Sequence, residues 1–86
     1  MSKIPVPIAV GDTEETVLMR ILSTLDLLGP KPVDELIDEL RLYQHPAAEK
    51  ILRMAIGDGM IEAADIGGRL KINQFGLDVD RKMRSS

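Results

Sequence analysis

Four interruptions constrain what this chain can fold into: Gly29-Pro30, His45-Pro46, Asp58-Gly59 and Gly67-Gly68. A proline cannot extend a helix that precedes it, it disfavours the α region in the residue before it, and a glycine after a periodic apolar run is a helix stop. The chain must therefore be a series of short elements. Between the interruptions the apolar spacing says which elements they are.

Asp12 followed three residues later by Glu15 reads as an aspartate version of the capping box. Val17, Leu18, Ile21, Leu22, Leu25 and Leu28 then recur at helical spacing up to Gly29-Pro30. A second helix is expected from Pro32, with Val33, Leu36, Ile37 and Leu40 on one face and Asp34, Glu35, Asp38 and Glu39 on the other. Tyr43-Gln44-His45 connects to a third helix that starts at Pro46. At about 100° per residue, Ala48, Ile51, Leu52, Ala55 and Ile56 share one side of it, and Pro46, Glu49, Lys50, Arg53 and Gly57 the other. Asp58-Gly59 stops it.

"DGMIEAADIGGRLKIN" then reads as a hairpin: Met60 to Asp65 one arm, Ile66 to Gly68 the turn, Arg69 to Ile72 the return. Asn73 is placed to cap a last short helix carrying Phe75, Leu77 and Val79. At the other end, residues 1–11 alternate Ile4, Val6, Ile8 and Val10 with Pro5, Pro7 and Ala9, the pattern of an edge strand or polyproline arm. So apolar an arm is expected to dock on the domain or on a second copy. The expected organisation is an arm over 1–11, one domain over 12–83 and a basic, polar tail over 84–86.

Composition narrows the function. A chain of 86 residues is one domain, burying about 60–65% of its unfolded surface. Its only aromatic residues are Tyr43 and Phe75, so the core must be aliphatic. It has no cysteine, which removes disulfides, thiolate metal sites and cysteine nucleophiles. The N-terminal apolar run is too short for a membrane span and lacks a signal-peptide pattern, so a soluble, cytoplasmic protein is expected. The net charge of −3 disfavours indiscriminate nucleic-acid binding, but it is unevenly placed. Residues 1–40 hold three basic and eight acidic side chains, whereas residues 41–86 hold eight basic and six acidic. An anionic partner would meet the C-terminal half.

Three helices followed by a glycine-tipped hairpin and a capped helix carrying a glycine resemble the winged-helix superfamily of helix-turn-helix DNA-binding domains. The resemblance covers roughly Asp12 to Met83 and implies an α+β, mostly α fold: a winged helix-turn-helix of three helices, a C-terminal hairpin wing and a short final helix. A threonine caps the final helix in many members, where this chain has Asn73. The resemblance implies that helix 46–57 enters the major groove of double-stranded DNA, with Lys50 and Arg53 toward base edges or phosphates. It also implies that Arg69 and Lys71 on the wing, residues 60–72, reach the backbone, and that Gln44 and His45 donate to phosphates. Glu49 lies among these residues and opposes them: it repels phosphate, is tolerable only beside a cytosine amino group, and can pair with Arg53 at i, i+4.

Each feature also has a plainer reading. Exposed Lys50 and Arg53 are what any soluble helix shows, and alternation alone puts Arg69 and Lys71 on one face of a strand. The carboxylates of helix two read as a solvated face, or as one turned toward a protein partner. His45, the one histidine, reads as a cap or turn residue, and no nucleophile constellation, phosphate loop or metal-ligand spacing forms, so neither an enzyme nor a cofactor is expected. The apolar arm (Ile4, Val6, Ile8) together with Met19 and Leu27, off the main stripe of helix one, points to a homodimer. The leading expectation is a small DNA-binding transcriptional regulator or accessory factor. The rival is a domain of the same fold that binds protein and no DNA.

Overall fold

The computed structural model describes residues 7–85. Helix α1 (Glu14–Leu28) is capped one residue later than the sequence implies, because Thr13 Oγ1 accepts the Thr16 N–H at 3.1 Å. Asp12 instead turns back on the arm, where its Oδ2 accepts the Ala9 N–H at 2.8 Å. The expected Asp12–Glu15 box is thus replaced by a threonine cap and an aspartate that fixes the entering chain.

After Gly29, Lys31 and Pro32 form a short strand, β1, which the sequence pattern does not announce. Pro32 therefore precedes the second helix, α2 (Val33–Leu40), rather than opening it. Lys31 Nζ reaches back to Glu35 Oε2 at 2.8 Å and Glu39 Oε2 at 3.1 Å. The hydrogen bond that Lys31 donates to Glu35, then the one it donates to Glu39, holds its ammonium above the ordinary lysine value. A raised pKa contributes stability below the unfolded value and loses it only as pH rises through the folded one, so this tie persists across the neutral range.

Helix α2 ends on Arg41, which sits in the left-handed region at φ 54°. Glycine is the usual residue there, since an L side chain costs about 1 kcal/mol or more in that conformation. Arg41 is exposed, and its side chain has no partner among the described residues. Arg41→Gly is expected to stabilise the domain by about 0.5–1 kcal/mol after allowing for glycine's freer unfolded state. A higher urea midpoint at unchanged slope is the readout; a lower one would show that the arginine is supported by its surroundings.

A single 3₁₀ turn (Leu42–Gln44) leads to helix α3 (Ala48–Gly57), which starts two residues beyond Pro46. Gly59, at φ 86°, reverses the chain, and the Met60 N–H closes on the Ala55 carbonyl at 2.9 Å. Strands β2 (Ile61–Ala63) and β3 (Arg69–Ile72) form the expected hairpin, with Glu62 opposite Lys71 and Ala63 opposite Leu70. Strand β1 adds to its other side, Lys31 opposite Leu70 and Pro32 opposite Arg69. The sheet is thus three-stranded and antiparallel in the order β1-β3-β2, where a two-stranded hairpin was expected. A proline is tolerated in β1 because that strand lies at the edge.

Asn73 does cap the last helix, α4 (Gln74–Ser85): its Oδ1 accepts the Gly76 N–H at 3.0 Å, and its Nδ2 donates to the Gly59 carbonyl. The helix runs through Arg84 and Ser85, so the boundary expected at Met83 falls inside it and the two residues are not a tail.

The core is aliphatic, as the composition requires. Val17, Ile21, Leu22 and Leu25 of α1 meet Leu36 and Leu40 of α2 and Ala48, Ile51, Leu52 and Ala55 of α3, with Leu42, Met60 and Ile61 between them. Fully burying each large aliphatic side chain contributes about 1.5–3 kcal/mol, so these faces hold the helices together. Ile8 joins this core at 2% exposure, and its N–H donates to the Leu40 carbonyl at 2.9 Å. That corrects its assignment to a dimer contact: this part of the arm docks on its own domain. Ile4 and Val6 lie outside the described residues. Met19 is half-buried, and Leu27 is left with 62% exposure. The overall class is α+β and mostly helical.

Candidate nucleic-acid interface

Helix α3 presents two faces. Ala48, Ile51, Leu52 and Ala55 are buried, and Glu49, Lys50, Arg53 and Gly57 are exposed, as the wheel predicts. Ile56 departs from it: expected on the apolar side, it is 39% exposed in the last turn. The i, i+4 pair available to Glu49 and Arg53 is not made. Among the described residues neither Lys50 nor Arg53 has an ion-pair or hydrogen-bond partner. The two cations stand three residues apart, neighbours on one helical face.

The turn before α3 corrects one assignment and leaves another open. His45 is buried; its Nδ1 accepts the Ala47 N–H at 3.1 Å and its Nε2 lies 2.8 Å from the Asp12 carbonyl. A carbonyl only accepts, so Nε2 carries the proton and both ring nitrogens are committed within the fold. His45 therefore has no donor left for a phosphate. It acts as a clasp, joining the start of α1 to the start of α3. Gln44 is exposed, and its side-chain amide has no partner among the described residues.

On the hairpin both expected cations are engaged. Arg69 donates to Asp65 Oδ2 through Nη2 at 2.6 Å and Nε at 2.9 Å. The other carboxylate oxygen, Oδ1, accepts the Gly67 N–H at 3.0 Å and shapes the turn. The Arg69 guanidinium holds the Asp65 carboxyl below its ordinary range. A depressed pKa keeps the carboxylate charged as pH falls further than usual, so the pair is intact at neutral pH. Lys71 Nζ lies 3.4 Å from Glu62 Oε2, directly across the ladder. The two wing cations are thus balanced by two carboxylates of the same hairpin. Such exposed pairs are worth about 0–1 kcal/mol, weak enough for a phosphate to compete, but their carboxylates stay behind and repel it.

Among the described residues there is no group of three or more His, Cys, Asp or Glu side chains that could hold a metal ion, and no helix long and apolar enough to cross a membrane. Comparison with family models, with curated proteins and with solved structures finds no match.

Proposed function

We propose that the chain is a winged-helix DNA-binding domain that serves as a small transcriptional regulator or accessory factor. The observation that carries this reading is the outer face of α3, where Lys50 and Arg53 are exposed, without a partner among the described residues and one turn apart, while the opposite face is fixed in the core. The order of three helices, hairpin and capped helix supports it, as does the bracing of the hairpin by β1. In this reading Lys50 and Arg53 contact guanine edges or phosphates, and Gln44 donates to the backbone from the preceding turn. The wing contributes less than its two basic residues imply, because Asp65 and Glu62 hold them.

Fluorescence anisotropy with mixed-sequence duplex DNA across a salt series tests this. Two free cations at about −0.9 each predict a log–log slope near −2, and Asp65→Asn, which releases Arg69, is expected to steepen it by about 0.9 and tighten binding. Reversing both charges in Lys50→Glu/Arg53→Glu is expected to weaken binding at least about tenfold per residue, leaving the urea midpoint in place. A domain of this fold that binds only protein would show no DNA binding at any salt, and the reading would fail.

A further inference from the structure

Beside the start of α3 lies a groove of about 340 Å³ lined by Ile37, Leu42, Tyr43, His45, Pro46, Leu52 and Glu49. It continues across Ile37 into a shallower depression formed with Asp34, Glu35 and Asp38. The floor is aliphatic, and Tyr43, 68% exposed, stands at the rim. Around it are three carboxylates, Asp34, Asp38 and Glu49, with no cationic partner among the described residues; Glu35 is held by Lys31.

The two properties select the occupant together. An apolar floor in a groove takes large aliphatic or aromatic anchors, and unpaired carboxylates at its edge reward lysine or arginine beside them while repelling phosphate. The volume equals that of about eleven water molecules at about 30 Å³ each, enough for the anchoring side chains of an element that lies across the groove. We infer that this groove docks a short basic amphipathic helix of a partner protein, its apolar stripe over Ile37, Leu42 and Leu52 and its basic flank on Asp34, Asp38 and Glu49. The inference does not rest on the DNA reading: Lys50 and Arg53 do not line the groove, but it shares Pro46 and Glu49 with their face of α3, so a helix docked here and DNA on that face would compete. A second copy of the chain fits less well, since it brings its own net charge of −3.

The test is an NMR titration of the isotope-labelled protein with a synthetic helical peptide bearing leucine at i, i+3, i+4 and i+7 and lysine on both flanks. A peptide of the same composition with the leucines scattered is the control. Saturable shifts at Ile37, Tyr43, Glu49 and Leu52 are expected with the first peptide and not with the second. Asp38→Lys/Glu49→Lys, both exposed, should weaken binding at least about tenfold. Tyr43→Ala should weaken it about threefold or more without changing the fold, because its ring lies mostly in solvent. Absence of saturation at millimolar peptide, equal response to the control, or indifference to the charge reversals would overturn the inference. So would groove resonances that move with protein concentration alone, which would make a second copy the occupant.

Discussion

Gly76→Ala is expected to destabilise the domain by about 2–4 kcal/mol, the reverse of what helix propensity alone predicts. Alanine in place of a helical glycine ordinarily gains about 0.5–1 kcal/mol. Here a Cβ would overlap the Met60 carbonyl oxygen and come within 2.7 Å of Ile72 Cγ1. The carbonyl is backbone and cannot swing aside; it also accepts the Asn73 N–H at 3.1 Å. Relief therefore requires α4 to lift from the α3–β2 turn, which breaks the Asn73 cap, itself worth about 0.5–2 kcal/mol. Overpacking adds about 1–3 kcal/mol more. A chain of this size has about 4–13 kcal/mol in total at about 0.05–0.15 per residue, so the loss is a large share of it. Thermal melting should fall by about 8–32 °C at about 4–8 °C per kcal/mol. A melting temperature equal to or above that of the parent would mean that α4 does not seat against Met60.

Much of this fold is legible in the sequence because periodicity and punctuation agree. The α1, α2 and α3 stripes, the Gly59 reversal and the Asn73 cap all follow from local chemistry, and they stand where the residues imply except at Leu28 and Ile56, which end exposed in the last turns of α1 and α3. What is not legible depends on partners distant in the chain. Lys31-Pro32 pairs with Leu70-Arg69 only because the hairpin returns beside it, and two residues carry no strand periodicity of their own. His45 looks like a free donor until the Asp12 carbonyl accepts its Nε2–H. Ile8 looks spare until Leu40 accepts its N–H. Arg69 and Lys71 look like a basic wing until the opposing strand and the turn supply Glu62 and Asp65. That last pairing is the one with functional weight. It moves the burden of any DNA contact from the wing to α3, and Glu62 at least was open to inspection, since a hairpin of this register sets it across from Lys71.

Arg84→Ala is expected to destabilise the domain by about 2–4 kcal/mol, although Arg84 itself is half exposed and sits two residues from the chain end. The reason is Asp80, which is 1% exposed on the face of α4 that meets α1. Its carboxylate accepts the Ser23 hydroxyl at 2.9 Å through Oδ1 and Arg84 Nη2 at 2.7 Å through Oδ2. Arg84 also reaches Asp26 Oδ2 at 3.4 Å, so one guanidinium ties α4 to α1. Removing the arginine takes from a buried carboxylate its guanidinium donor and leaves the Ser23 hydroxyl on Oδ1, and a buried charge that loses its ion-pair partner is far costlier than a lost surface pair. Asp80→Asn keeps the shape and an acceptor while removing the charge, so in the Arg84→Ala background it should recover about 1 kcal/mol or more. In the parent it should cost less than Arg84→Ala does. A double-mutant cycle by urea unfolding isolates the coupling, expected at about 1–3 kcal/mol. If Arg84→Ala instead changes the midpoint by less than about 0.5 kcal/mol, as an ordinary surface substitution does, the last turn of α4 frays in solution and Asp80 finds its compensation elsewhere.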